Sequence, residues 1–150
     1  MVKIASRNGR FFYVSVDDPD LRELMRLLAI GSLKHHEEIR PEHVKELFAE
    51  ITNDGMVKQP IIVDQKTMIV LDGHHRTTAL KNMGITKIPA FLVDYQSEEI
   101  MVAAWRRGER VTKEMVIEAA LSGKLLPPKT SRHILSKQTM EVNVPLSKLK

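Results

Sequence analysis

The stretch Met68-Ile69-Val70-Leu71-Asp72-Gly73-His74-His75-Arg76-Thr77-Thr78-Ala79-Leu80 passes from four apolar residues through a polar turn into a helix-compatible segment. The apolar quartet reads as a strand with a buried face. Ala79, Leu80 and Met83 then recur at helical spacing until Gly84. Leu71 therefore ends a strand, Thr77 lies in a helix, and Asp72 to Arg76 form the turn between them. Such a turn suits a phosphate. Gly73 lets a ligand approach the backbone closely. The first N–H groups of a helix have no internal partner, and the helix dipole favours an anion beside them. Arg76 offers a planar fork for phosphate oxygens, and His74 or His75 a further donor. Asp72 can equally serve as an N-cap with Gly73 as an ordinary turn residue. That reading leaves three consecutive large polar residues after an apolar strand unexplained.

Working outward, Pro60-Ile61-Ile62-Val63 and Met68-Ile69-Val70-Leu71 flank a turn around Asp64-Gln65-Lys66 and predict a hairpin. Pro41 opens a helix with Val44, Leu47, Phe48 and Ile51 on its apolar face, stopped at Asn53-Asp54-Gly55. Residues 32–38 read as a polar loop or short strand. Residues 10–16 and 88–93 read as strands. Asp18-Pro19 starts a helix with Leu21, Leu24, Met25 and Leu28 inward, ended by Gly31. Helices are expected over 97–106 and 112–122, an extended segment at Pro127-Pro128, and a short strand over 142–146. The pattern predicts a single α+β domain over residues 1–150, with a small mixed sheet and flanking helices.

Composition narrows the function classes. The chain has 150 residues, 43% of them hydrophobic and none of them cysteine, so disulfides and thiolate metal sites are excluded. No long apolar run follows the N-terminus, so neither a signal peptide nor a membrane span is expected, and the cytoplasm is the expected location. The net charge of +4 suits anionic partners, nucleotide or nucleic acid, without choosing between them.

The segment Val70 to Leu80 resembles the signature of the ParB/sulfiredoxin-like superfamily, and its doubled histidine resembles the free L-serine kinases of that superfamily. Ser32-Leu33-Lys34-His35-His36-Glu37-Glu38 is similar to their leucine/methionine-lysine-proline-histidine-glutamate motif, with His35 in the proline position. The loop Pro127-Pro128-Lys129-Thr130-Ser131-Arg132-His133-Ile134-Leu135 is similar to their proline-lysine-threonine-x-arginine-histidine motif. Asp94-Tyr95 and Trp105 share the family's spacing. The stretch from Trp105 to Pro127 is shorter than in the better-known kinases, and Thr77 stands where an aromatic residue can follow the arginine.

The resemblance implies phosphorylation of free L-serine to O-phospho-L-serine, with ADP or ATP as donor and Mg2+ held mainly by the nucleotide's phosphates. It implies Glu37 as general base. Asp72 would orient the acceptor or a Mg2+-bound water, or cap the helix. Gly73, His74, His75, Arg76 and Thr77 would bind the nucleotide's phosphates. Trp105 would wall the acceptor pocket, and Lys129, Thr130, Arg132 and His133 would bind the acceptor or the product phosphate. Five of the six histidines fall in these motifs, but the adjacent pairs His35-His36 and His74-His75 lack zinc-motif spacing, so no resident metal ligands are expected. The alternative is a ParB-like nucleotide- and DNA-binding module. No helix-turn-helix is evident for it, and the Pro127–Leu135 motif has no role there. Sulfiredoxin chemistry requires a cysteine and is excluded.

Overall fold

The computed structural model describes residues 25–135 and 141–150 in full, and the backbone alone of 2–4 and 12–14. Strands β1 (Val2–Ile4) and β2 (Phe12–Val14) form an antiparallel pair. A four-stranded mixed sheet follows, built from β3 (Met25–Ala29), β5 (Ile61–Asp64), β6 (Val70–Asp72) and β7 (Lys87–Val93) in the order β3-β7-β5-β6. Strand β7 lies antiparallel to β3 and parallel to β5, and β5 is antiparallel to β6. Helix α1 (Pro41–Asp54) leads to β4 (Met56–Val57), which pairs with β10 (Val144–Pro145). Helix α2 (His74–Asn82) follows β6. Strand β8 (Ile100–Ala104), helix α3 (Lys113–Ser122) and strand β9 (Ser131–Leu135) complete the chain, with β8 and β9 antiparallel.

The unbroken apolar runs of the hairpin now have a reason. Ile61, Val63 and Val70 face a core shared with Val44, Ile51, Ala79 and Leu80 of α1 and α2. Ile62, Ile69 and Leu71 face the other way, into a core with Tyr95, Ile100, Val111 and Val116. Both sheet faces are covered, so side chains pointing to either side are apolar. The hairpin turn is held by Asp64, whose carboxylate accepts hydrogen bonds from Thr67 Oγ1, the Thr67 amide and, at 3.1 Å, the Tyr95 amide. Burial pushes that carboxyl upward, but these donors outweigh it and hold it below its ordinary range.

The expected helix from Pro41 forms with proline in its first turn, and Gly55 closes it at φ +68°, donating to the Ile51 carbonyl at 2.9 Å. The 112–122 helix forms over Lys113–Ser122, capped by Thr112 Oγ1, which accepts from the Met115 amide at 3.2 Å. Four expectations differ. Met25 and Leu28 lie in strand β3, not on a helix: Met25 pairs with Phe91 and Leu28 with Ile88. The start proposed at Asp18-Pro19 lies outside the described residues, and of 10–16 the described part is β2. Residues 100–104, expected in a helix, form β8. Ile100, Val102 and Ala104 pack inward while Met101 is 61% exposed, a period-two pattern set by pairing with β9. Residues 131–135, read as part of a loop motif, are β9 itself. Finally, α2 begins at His74, so His74, His75 and Arg76 occupy its first turn, not the link before it. Gly73 is the N-cap, and no side chain caps the helix. Asp72 is therefore the last residue of β6, opposite Ile62, and not a cap.

Gly73 is the tightest point of this architecture. Its φ is +110°, and a Cβ there would lie 2.2 Å from Ile61 Cγ2 and 2.9 Å from Ile61 Cβ. Both the dihedral and the floor of the turn exclude any side chain. Gly73→Ala is expected to cost about 2–5 kcal/mol from backbone strain plus overpacking. Gly55→Ala, at φ +68° with nothing within 4 Å of the new methyl, should cost about 1 kcal/mol. Urea midpoints of the two variants check the contrast. Equal losses would show that the Ile61 contact is unimportant.

Candidate active site

The 33–38 loop is laid across the sheet by main-chain bonds on both sides. The Lys34 amide donates to the Met68 carbonyl and the Val70 amide to the Lys34 carbonyl, at 2.9 and 2.8 Å. The Leu126 amide donates to the His36 carbonyl and the Glu38 amide to the Leu126 carbonyl, both at 2.8 Å. Between these anchors Glu37 turns its half-buried carboxylate toward the start of β9. There Oε1 accepts from the Thr130 amide and, at 3.0 Å, from the Ser131 amide. Burial raises the Glu37 pKa above the ordinary carboxylate range, although these donors and Arg106 oppose it. A carboxylate that is held in place yet more basic than usual is equipped to take a proton.

Beside it lies a cluster of histidines. His36 is fully buried, with Nδ1 2.8 Å from the Val70 carbonyl and Nε2 3.0 Å from Ser131 Oγ. A carbonyl only accepts, so the proton sits on Nδ1 and the Ser131 hydroxyl donates to Nε2. Buried His74 stacks edge-on against His36 at 4.3 Å between centroids, and its Nε2 accepts from the His36 amide at 3.3 Å. His133 reaches Tyr95 Oη through Nε2 at 2.7 Å. Burial keeps all three rings neutral: His36 is lowered to about 4, His133 to about 3, and His74 well below its ordinary value. His36, Glu37 and His74 each offer a ligand atom within 4.8 Å of the others. The Nε2 lone pairs of both rings already accept internal hydrogen bonds, so this arrangement is a hydrogen-bonded cluster, and a metal would have to break it.

The uncapped start of α2 leaves its first-turn N–H groups for a ligand, and exposed Asp72 stands next to it. The side chains of the same turn are partly committed elsewhere. His75 Nε2 accepts from the Arg40 amide at 2.9 Å. Thr77 is buried, with Oγ1 donating to the Gly73 carbonyl at 2.8 Å. Arg76 donates through Nη1 to the Pro60 carbonyl at 3.1 Å and lines a cavity of about 320 Å³ with Glu50, Asp54, Lys58 and Glu141. Its guanidinium thus points toward α1 and β4, not toward Glu37.

The third motif is split between support and rim. Thr130 is buried, its hydroxyl donating to the Pro127 carbonyl at 2.7 Å, so it shapes the loop that carries the two amides. Trp105 is 53% exposed, with Arg132 and Lys129 lying 5.2 and 5.9 Å from its ring centre. This cationic, aromatic rim adjoins the Glu37 clamp because the Trp105 amide donates to the Thr130 carbonyl. Sequence reasoning missed Ser131, which sits at the variable position of its motif, and passed over His36 and Tyr95 as site residues although both stand in quoted motifs.

Residues 20–106 match the model of the ParB N-terminal domain. The chain belongs to that family. This ParB-domain protein is 39% identical over 83 residues to an ATP-dependent L-serine kinase of Staphylothermus marinus, covering 53% of this chain and 33% of that protein. It is 41% identical over 75 residues to a ParB-like protein of Sulfolobus acidocaldarius, covering 50% and 37%. The chain spans about a third of the length of these relatives. Among solved structures, a free serine kinase in complex with AMP superposes with a TM-score of 0.76 at 17% identity, over 85% of this chain and 94% of that one. The shared architecture is therefore the ParB/sulfiredoxin-like fold. Among the described residues, no helix is long and apolar enough to cross a membrane.

The buried histidines carry a consequence for stability. Below pH 6.5 the unfolded chain binds protons that the folded His36 and His133 refuse, so stability falls as pH drops from about 6.5 toward about 4 and about 3. Each contributes a slope of up to about 1.4 kcal/mol per pH unit in that window. Glu37, raised in the fold, works in the opposite sense and only partly offsets this. Urea unfolding of the wild type and of His36→Asn between pH 7 and 4.5 checks it. The variant should show the flatter profile, and equal slopes would remove His36 from the account.

Proposed function

We propose that this chain transfers a phosphoryl group from ATP or ADP to the hydroxyl of free L-serine, forming O-phospho-L-serine. The observation that carries the reading is the clamp of Glu37 on the Thr130 and Ser131 amides. It joins two motifs 93 residues apart into one site beside an uncapped helix N-terminus. Relatives named ATP-dependent and ADP-dependent L-serine kinases support the substrate class and leave both donors in play.

In this reading the donor's phosphates sit on the free N–H groups at the start of α2, with Gly73 as floor and His74, His75, Arg76 and Thr77 supplying that turn. Asp72 is an exposed oxygen donor of the kind Mg2+ accepts, alongside the nucleotide's own phosphates. The cation would neutralise charge on the transferring group. Serine's carboxylate rests on Arg132 and Lys129, with Trp105 as wall and His133 and Thr130 supporting from behind. The serine hydroxyl attacks the terminal phosphorus and its proton passes to Glu37. The P–O bond to the shortened nucleotide breaks, leaving AMP or ADP as the leaving group. Such chemistry belongs where nucleotides and free amino acids meet, in the cytoplasm.

A second reading, a nucleotide- and DNA-binding module, is favoured by the match to a ParB-like protein and by a pI of about 9.4. It leaves the Glu37 clamp without a task. Incubation with L-serine, Mg2+ and ATP or ADP, followed by mass-spectrometric detection of phosphoserine, separates them. Nucleotide binding without product under either donor would favour the second.

Glu37→Gln should lower kcat by about 10²–10⁴-fold while calorimetry shows near-normal nucleotide affinity. Because the base must be ionised and burial raises its pKa, the acid limb of kcat/KM should lie above the ordinary carboxylate range and vanish in the variant. Near-normal turnover would remove Glu37 from the mechanism. Arg132→Ala removes a charge-assisted bond worth about 1.5–3 kcal/mol. It should raise KM for serine about 10- to 150-fold, with little change in KM for the nucleotide. A loss confined to the nucleotide would assign this rim to the donor.

A further inference from the structure

We propose that Ser131 is a positioning residue for the Glu37 base: it grips both members of the His36-Glu37 pair, one through its amide and one through its hydroxyl. The inference rests on Glu37 acting as the base. The Ser131 amide donates to Glu37 Oε1 at 3.0 Å, and Ser131 Oγ lies 3.0 Å from His36 Nε2. The direction of the second bond follows from the other partner of the His36 ring. Its Nδ1 faces the Val70 carbonyl at 2.8 Å and must carry the proton, so Nε2 presents a lone pair and the serine hydroxyl donates to it. His36 is 0% exposed and Ser131 7%, so water cannot replace this bond.

The consequence is a closed circuit. From the Val70 carbonyl in the central sheet the chain of bonds runs through His36 to the Ser131 hydroxyl. From the Ser131 amide it returns to Glu37, the next residue along from His36. The Thr130 amide meets the same carboxylate oxygen, but the Thr130 hydroxyl is spent on the Pro127 carbonyl within its own loop. The side chain of Ser131 therefore ties the two amides to the His36 ring of the Glu37 loop, beyond the main-chain bonds that Leu126 makes to His36 and Glu38. Lys129 precedes them at φ +55°, uncommon for a residue with a side chain, and turns the strand so that both amides converge. With Oε1 held by two amides, Oε2 remains for the acceptor's proton. Releasing the hydroxyl bond lets β9 and the Glu37 loop shift relative to each other, and a displacement near 1 Å at a catalytic group can cost about 10²-fold in rate.

The test uses Ser131→Ala and Ser131→Thr in the full chain. Ser131→Ala should lower kcat about 10- to 100-fold, with both KM values within about threefold of wild type. Ser131→Thr should restore most of it. The pH profile separates positioning from bulk structure. The Thr130 and Ser131 amides hold the Glu37 carboxylate ionised against its burial, and loss of the hydroxyl bond to His36 loosens both, so the acid limb of kcat/KM should move to higher pH in Ser131→Ala and return in Ser131→Thr. Histidine 15N spectra give a readout that needs no turnover: His36 should be the Nδ1–H tautomer, and its Nε2 resonance should shift in Ser131→Ala alone. Should Ser131→Ala fail to fold, Ser131→Cys, a weak donor of similar size, carries the same comparison. A folded Ser131→Ala with wild-type kcat and acid limb overturns the proposal, as does an unmoved Nε2 resonance. Absence of serine phosphorylation in the wild type overturns the kinase reading instead, while the spectra still decide whether the Ser131–His36 bond exists.

Discussion

Everything in the candidate site hangs on one half-buried carboxylate accepting hydrogen bonds from two main-chain amides. A half-buried Glu37 is costly to ionise unless donors are already in place. Those donors lie at the entry to β9, which reaches Glu37 because β9 pairs with β8 and the ribbon packs on the far face of the sheet. The packing is secured by Tyr95. Its ring is buried in the second core, its hydroxyl meets His133, and Lys113 Nζ fixes its carbonyl at 2.7 Å. Helix α3 thus supports the site through Tyr95. The clamp is an output of the second core, not a local motif.

The neutral histidines follow from the same constraint. A site of the kind proposed, for phosphates and a carboxylate, would be expected to gather cations. Yet His36 and His74 are buried where a charge would be uncompensated, each hydrogen-bonded in a fixed tautomer, while half-buried His133 meets the Tyr95 hydroxyl. The cations are kept at the rim, on Arg132 and Lys129 against Trp105, where solvation makes the charge inexpensive. Interior rings set geometry and exterior side chains set charge.

The parts of this arrangement that were legible in the sequence are those whose signal is local. The hairpin, α1 with Pro41 and Gly55, α2 after Gly73, and α3 behind Thr112 all announce themselves through caps, breakers or continuous apolar runs. Strands β3 and β8 did not. Met25 and Leu28 sit at helical spacing as comfortably as in a strand, and only the partner β7, some sixty residues on, decides between them. Ile100 to Ala104 is a strand because β9 lies beside it, again far away in the chain. The site divides the same way. Glu37, Gly73 and Thr130 carry their chemistry in recognisable motifs. Arg76 looks like a phosphate fork in one dimension, but turns to the Pro60 carbonyl, because its place on the helix aims it at α1. Ser131 is invisible, since a serine between Thr130 and Arg132 has no pattern until the fold lays it against His36.

The family segment and the site do not coincide, and that bears on how one fold can serve different ends. The ParB match ends at residue 106, so it contains the sheet, the uncapped α2 and Glu37 itself, but neither α3 nor β9. Within that segment the physics supplies an anion site at a glycine-floored helix start, which fits any protein that binds a phosphate chain. The amides that hold Glu37 arrive from outside the segment. A glutamate on an otherwise solvated loop would be a weak, mobile base. The burial that β9 brings raises its basicity against the pull of the two amides, and the clamp fixes its direction. The helix-start half can thus be common to proteins of different function, while the base of the proposed reaction depends on whether the chain beyond the family segment folds back to cover that carboxylate.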